Sequence, residues 1–205
     1  MLGNISLIAL AVVIVSILIS LVIHEFMHAY VGHLLGDSTA SDEGRLSLNP
    51  LKHIDPIMTV ALPIITLLLF QAPILAAKPV PFDPSRVKYD EFGAAMIAAA
   101  GPFSNLGLAF ISSILANHAF AAGSFLSDAF GIFTTLNVAL FVFNLLPLPP
   151  LDGSRVLYAF APEPVQNFMR AIEPFGFMII FGLVLFAGVG GFLGTLNQYV
   201  LNILP

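Results

Sequence analysis

The chain has 205 residues, 58% hydrophobic and only 9% charged, with a formal net charge of −5. Soluble domains carry about 25% charged residues, so this composition describes a chain whose solvent is lipid. The charges are spread over short loops without a basic run, which excludes nucleic-acid binding. With no cysteine in the chain, any metal must be held by histidine and carboxylate.

Taken in order, the first apolar run (span A) begins near Ile5 and reaches Ile23 without a charge. About 20 such residues cross a bilayer core. Residues 1–23 lack the basic leader and the small-residue cleavage site of a signal peptide, so they are predicted to be a retained membrane helix. That helix continues through His24-Glu25-Phe26-Met27-His28 and stops near Gly36. A polar loop follows, residues 37–55. Span B, Ile57 to Ala77, is apolar but interrupted by Pro63 and Pro73. The three prolines of residues 78–84 forbid a helix and predict extended backbone. Span C runs from about Phe92 to Leu115 and contains Gly101-Pro102-Phe103-Ser104-Asn105, followed by a connection over residues 116–128 without Lys or Arg. Span D runs from about Phe130 to Leu146 and breaks at Pro147-Leu148-Pro149-Pro150-Leu151-Asp152-Gly153. A short amphipathic piece over residues 154–173 leads to span E, Phe175 to about Val189. The tail either extends span E or lies along the interface. Residues 1–205 therefore read as one membrane-embedded, all-α, polytopic domain.

The chemistry concentrates at His24-Glu25-Phe26-Met27-His28, an H-E-x-x-H pattern. On a helix, positions i and i+4 lie one turn apart on one face, ~6 Å along the axis. Two imidazoles so placed can share one zinc at ~2.0–2.1 Å, while Glu25 reaches the reacting water instead of the metal and can act as general base. With the five His and five Glu present, chance supplies roughly 0.003 such patterns. An ionisable residue deep in an apolar span costs at least ~2.5–3.5 kcal/mol, which marks the site as functional.

A catalytic zinc takes three protein ligands and keeps one open position. Asp152 is the best candidate for the third, because the prolines before it present it from irregular backbone at the end of an apolar span. On its own residues it reads equally as an interfacial aspartate in a turn. His33 projects about half a turn from His24, and His118 sits in a loop. His53 and Asp55 flank the entrance to span B as second-layer partners or, more simply, local caps.

The H-E-x-x-H segment together with Asn144-Leu145-Leu146-Pro147-Leu148-Pro149-Pro150-Leu151-Asp152-Gly153 resembles the site-2 protease family of intramembrane zinc metalloproteases. Gly101-Pro102 with Asn105 is similar to a further feature of the family, and the segment Arg45 to Pro56 and Lys78-Pro79-Val80-Pro81 resemble its compact prokaryotic members. Many members have Asp-Gly-Gly where this chain has Asp152-Gly153-Ser154. The resemblance covers roughly residues 20–160. It implies one zinc held by His24, His28 and Asp152, Glu25 as catalytic base, and Asn144 as a helper that positions substrate or the developing oxyanion. An interhelical hydrogen bond explains Asn144 equally well. Asn105 is expected to join spans C and D, and Gly101 and Pro102 to permit close approach or a kink.

The implied activity is endoproteolysis in or beside a substrate's transmembrane segment, with that protein or peptide and the bilayer as partners. The alternative is a non-proteolytic metal-binding membrane protein or metal carrier, although a transport path would need polar ligands along its length. Sharing one zinc also constrains topology. Spans A and D must end toward the same side, so an odd number of crossings separates them. Span B, broken by prolines, is then expected to be re-entrant, leaving about four full crossings. All seven Lys and Arg then fall on one side, which the positive-inside rule makes cytoplasmic.

Overall fold

The computed structural model describes residues 6–61, 65, 78, 80–186 and 189–205. Among them every regular element is helical. Three helices among the described residues are long and apolar enough to cross a membrane: α1 (Leu7–Leu34), α2 (Asp90–Ile114, continued as a wider helix to Ala119) and α3 (Phe125–Asn144). Helix α1 begins where the Ser6 hydroxyl accepts from the Ala9 N–H at 3.1 Å. It ends against Gly36, whose φ of +100° turns the chain at low steric cost. The α2–α3 connection is shorter than the sequence pattern suggests. The widened end of α2 consumes residues 115–119, and the Ser124 hydroxyl caps α3 by accepting from Ser127 N–H at 3.3 Å.

Beyond α3 come α4 (Asp152–Phe160), α5 (Glu163–Ile172), α6 (Gly176–Phe186) and α7 (Val189–Ile203). The expected amphipathic piece is thus two helices, separated where Pro162 cannot continue the first. The tail packs back on the helix bundle. Leu193, Leu196, Val200 and Leu204 of the C-terminal segment pack on buried Ala109, Val138 and Val142 of α2 and α3. Span B lies largely outside the described residues, and span E coincides with the eleven described residues of α6.

Side-chain pairing fixes the register of the three long helices. Gly32 and His28 of α1 meet Ile97 of α2, whereas His24 and Ser20 meet Asn105, so α1 and α2 are antiparallel. Asn105 pairs with Asn137 and Ser112 with Thr134, so α3 is antiparallel to α2 and parallel to α1. Among the described residues one crossing, α2, separates two helices that end on the same side. The intervening segment is tied back to that side at several points. Lys88 N–H donates to Leu35 O at 2.9 Å, Asp83 N–H to the Asp37 carboxylate at 2.8 Å, and Lys78 N–H to His53 O at 3.1 Å. Buried Arg45 adds hydrogen bonds to the carbonyls of Lys52 and Lys78. Residues 53 and 78, on either side of span B, thus meet, while the expected re-entrant course of span B itself lies outside the described residues. A small apolar cluster of Leu35, Val87 and Ile97 seals the same end.

Candidate active site

Helix α1 carries His24, Glu25 and His28 on its buried side, at 5%, 8% and 8% exposure. Asp152 arrives from the first turn of α4, after the chain has left α3 and turned through Pro147–Pro150. One carboxylate oxygen, Oδ2, lies 3.1 Å from His24 Nε2 and 3.4 Å from His28 Nε2. Ligand atoms from the three residues all fall within 4.8 Å of one another, the one such group of possible metal ligands among the described residues.

The far nitrogen of each ring is engaged. His24 Nδ1 donates to Asn105 Oδ1 at 2.6 Å, and His28 Nδ1 donates to the Ile97 carbonyl at 2.7 Å. A neutral imidazole protonated at Nδ1 carries a bare lone pair at Nε2. Two such lone pairs therefore converge on a carboxylate oxygen, an arrangement that repels itself until a cation sits among the three. Ligands at ~2.0–2.1 Å in a tetrahedral zinc site stand ~3.3 Å apart, close to both observed separations. Gly101 of α2 faces this point. A Cβ there would lie 2.4 Å from His28 Nε2 and 2.6 Å from His24 Nε2, so only glycine leaves that space open. The donor set, the oriented rings and the vacated space all fit zinc.

Glycines also shape the approach of Asp152. A Cβ on Gly153 would fall 2.2 Å from the Leu145 carbonyl, and one on Gly176 would fall 2.4 Å from that of Pro149. Close backbone contact between α4, the end of α3 and the start of α6 therefore holds the proline-rich break in place.

The remaining candidates divide clearly. Asn105 joins α2 to α3 as expected, through Asn137, and in addition holds His24. Asn144 donates from Nδ2 to the Leu140 carbonyl of its own helix at 3.0 Å. His53 and Asp55 act locally: His53 Nε2 donates to Ser47 O, and Asp55 accepts from Ile57 N–H. His33 and His118 are exposed. The sequence reading missed the Ile97 carbonyl, because a backbone acceptor leaves no mark in side-chain identity. It also missed Asn137, a buried amide in an apolar span whose cost in lipid is the signal that could have found it.

Two histidines one helical turn apart and an adjoining glutamate on a membrane-length helix, with a distant aspartate brought to them by a short one, make the donor set of a metallopeptidase built into a membrane. Comparison with known proteins agrees. The model of peptidase family M50 matches residues 113–187. "Putative zinc metalloprotease YwhC" of Bacillus subtilis is 39% identical over 181 residues, covering 84% of this chain and 78% of that protein. "Putative zinc metalloprotease Rip2" of Mycolicibacterium smegmatis is 29% identical over 185 residues, covering 84% of this chain and 66% of that one. No solved structure matches. The chain belongs to peptidase family M50, the site-2 protease family, and is a membrane zinc metalloprotease.

Proposed function

We propose that the protein is an intramembrane endopeptidase that cleaves transmembrane segments of other membrane proteins, with His24, His28 and Asp152 as its zinc ligands. The observation that carries this reading is the convergence of those three ligands on the space left by Gly101, with His24, His28 and buried Glu25 on a helix of membrane length. Zinc bound there supplies a Lewis acid for the scissile carbonyl and acidifies a water. Glu25 takes the proton of the attacking water and returns it to the leaving amine. His24 and His28 stay unprotonated at Nε2 because their protons are held at Nδ1 by Asn105 and Ile97. Asn144 keeps a second amide proton beyond the one given to Leu140, and we assign it to the substrate carbonyl or developing oxyanion.

A helical substrate carbonyl is already hydrogen-bonded, so the substrate must unwind before attack. Residues 80–83, free of helix, suit an added strand that receives the unwound segment. Beside them a cavity of about 620 Å³, lined in part by Phe82, Ser85, Ala94, Ser154 and Tyr158, gives room for extended chain and water. All seven Lys and Arg lie in the loops and short helices at this end, so the active site faces the cytoplasm.

The test uses protein reconstituted in liposomes with a model transmembrane substrate, and zinc measured per chain. Glu25→Gln should keep its zinc and lose on the order of 10²–10⁴-fold in cleavage. Asp152→Asn should lose zinc, since a neutral amide oxygen replaces a charged ligand. Cleavage at the wild-type rate by Glu25→Gln would sink the mechanism.

A further inference from the structure

We infer that Asn137, which touches neither metal ligand nor substrate, is a positioning residue that sets which nitrogen of His24 is available for zinc. An asparagine side chain has two ends of opposite character, and Asn105 could in principle turn either toward His24. With its oxygen turned inward it accepts a proton from Nδ1 and leaves Nε2 bare. With its NH2 turned inward it would favour the other tautomer, whose Nε2–H cannot bind a cation.

The structure holds a chain of bonds that decides between them. Asn137 Nδ2 donates to the Phe133 carbonyl at 2.9 Å. A carbonyl accepts and cannot donate, so this bond fixes the orientation of the Asn137 amide. Its oxygen then faces Asn105 and accepts from Asn105 Nδ2, also at 2.9 Å. The Ser20 carbonyl, 3.4 Å from the same nitrogen, adds a weaker pull in the same sense. Asn105 must therefore turn its oxygen to His24, where the contact is 2.6 Å. Both asparagines are fully buried, so water cannot replace either partner. A helix carbonyl in α3 thus dictates the proton position on a histidine in α1, through two side-chain amides. The inference rests on His24 being a zinc ligand.

The experiment is a double-mutant cycle in the purified full-length protein, reading zinc affinity by competition with a chelator and the melting temperature of the zinc-free form. Asn137→Leu removes the acceptor that orients Asn105 at similar volume. Outer-layer partners of this kind are worth ~10–100-fold in metal affinity, and a loss of that size is expected. The same change in an Asn105→Asp background should cost less than about threefold, because a carboxylate accepts at both ends and needs no orientation. Equal losses in the two backgrounds would show a merely structural role and overturn the inference, as would unchanged affinity in Asn137→Leu. Should the leucine variant fail to accumulate, Asn137→Ala carries the same comparison. Loss of zinc binding is distinguishable from failure of the protease reading, because His24→Ala run alongside reports whether His24 binds zinc at all.

Discussion

Replacing Gly101 by alanine tests the site more sharply than removing a ligand, because it leaves every ligand in place. The new Cβ would sit 2.4 Å from His28 Nε2, 2.5 Å from its Cε1 and 2.6 Å from His24 Nε2. Ordinary carbon contacts begin near 3.5 Å, so α1 and α2 must part by about 1 Å or the rings must rotate away. Zinc sites tolerate departures of roughly 0.2 Å, and a displacement near 1 Å costs on the order of 10²-fold. The helix itself gains from the change, since alanine is favoured over glycine by ~1 kcal/mol. Overpacking costs ~1–3 kcal/mol, so the zinc-free protein should melt only slightly below wild type. Gly107, on the same helix with nothing within 4 Å of its Cβ position, is the control, and Gly107→Ala should be neutral or stabilising. Zinc content, chelator competition and cleavage of one model substrate read the outcome. Wild-type zinc affinity and cleavage in Gly101→Ala would refute the claim that the metal occupies the space this glycine leaves.

Further expectations concern folding, topology and substrate. Asp37 lies buried just beyond α1; burial alone would raise its pKa, but hydrogen bonds from the Thr39 hydroxyl and N–H and the Asp83 N–H lower it below the ordinary value. Its contribution to stability is thus complete above the unfolded pKa of ~3.9 and lost as pH falls through the lower folded value. Asp37→Asn should lower the melting temperature at pH 7 and shrink its acid dependence; an unaltered acid limb would count against this account. Because the chain has no cysteine, single replacements report sidedness: Ser85→Cys should label only from the cytoplasm and Ala121→Cys only from outside, and the reverse pattern would invert the topology. Substrate helices containing Gly or Pro near the cytoplasmic end should be cut faster than an unbroken poly-Leu segment, because extending them costs less. Equal rates would mean that unwinding does not limit cleavage.

The sequence alone determined what depends on neighbours along the chain. Apolar runs longer than a bilayer is thick announce membrane helices whatever packs against them, and α1, α2 and α3 lie where those runs do. The facing of His24 and His28 is likewise local, since helix geometry places i and i+4 on one side. Residues distant in the chain were another matter. Asp152 comes within 3.1 Å of His24 across 128 positions, and turn chemistry alone left it indistinguishable from an interfacial aspartate. Its approach depends on α3 running parallel to α1 and on Gly153 and Gly176 letting backbones touch; Gly153 is its neighbour in the chain, but the backbones these glycines meet are brought there only by the fold. The orientation of the histidine rings belongs entirely to tertiary structure. One proton goes to an amide 81 residues away and the other to a backbone carbonyl on α2. The placement of the C-terminal helix follows the same rule, for its apolar face could meet lipid or protein, and only the surface formed by Ala109, Val138 and Val142 of α2 and α3, which it helps to bury, decided which. Hydrophobicity along a chain reports the solvent each segment tolerates, whereas partners are chosen by shape and hydrogen-bond polarity in three dimensions.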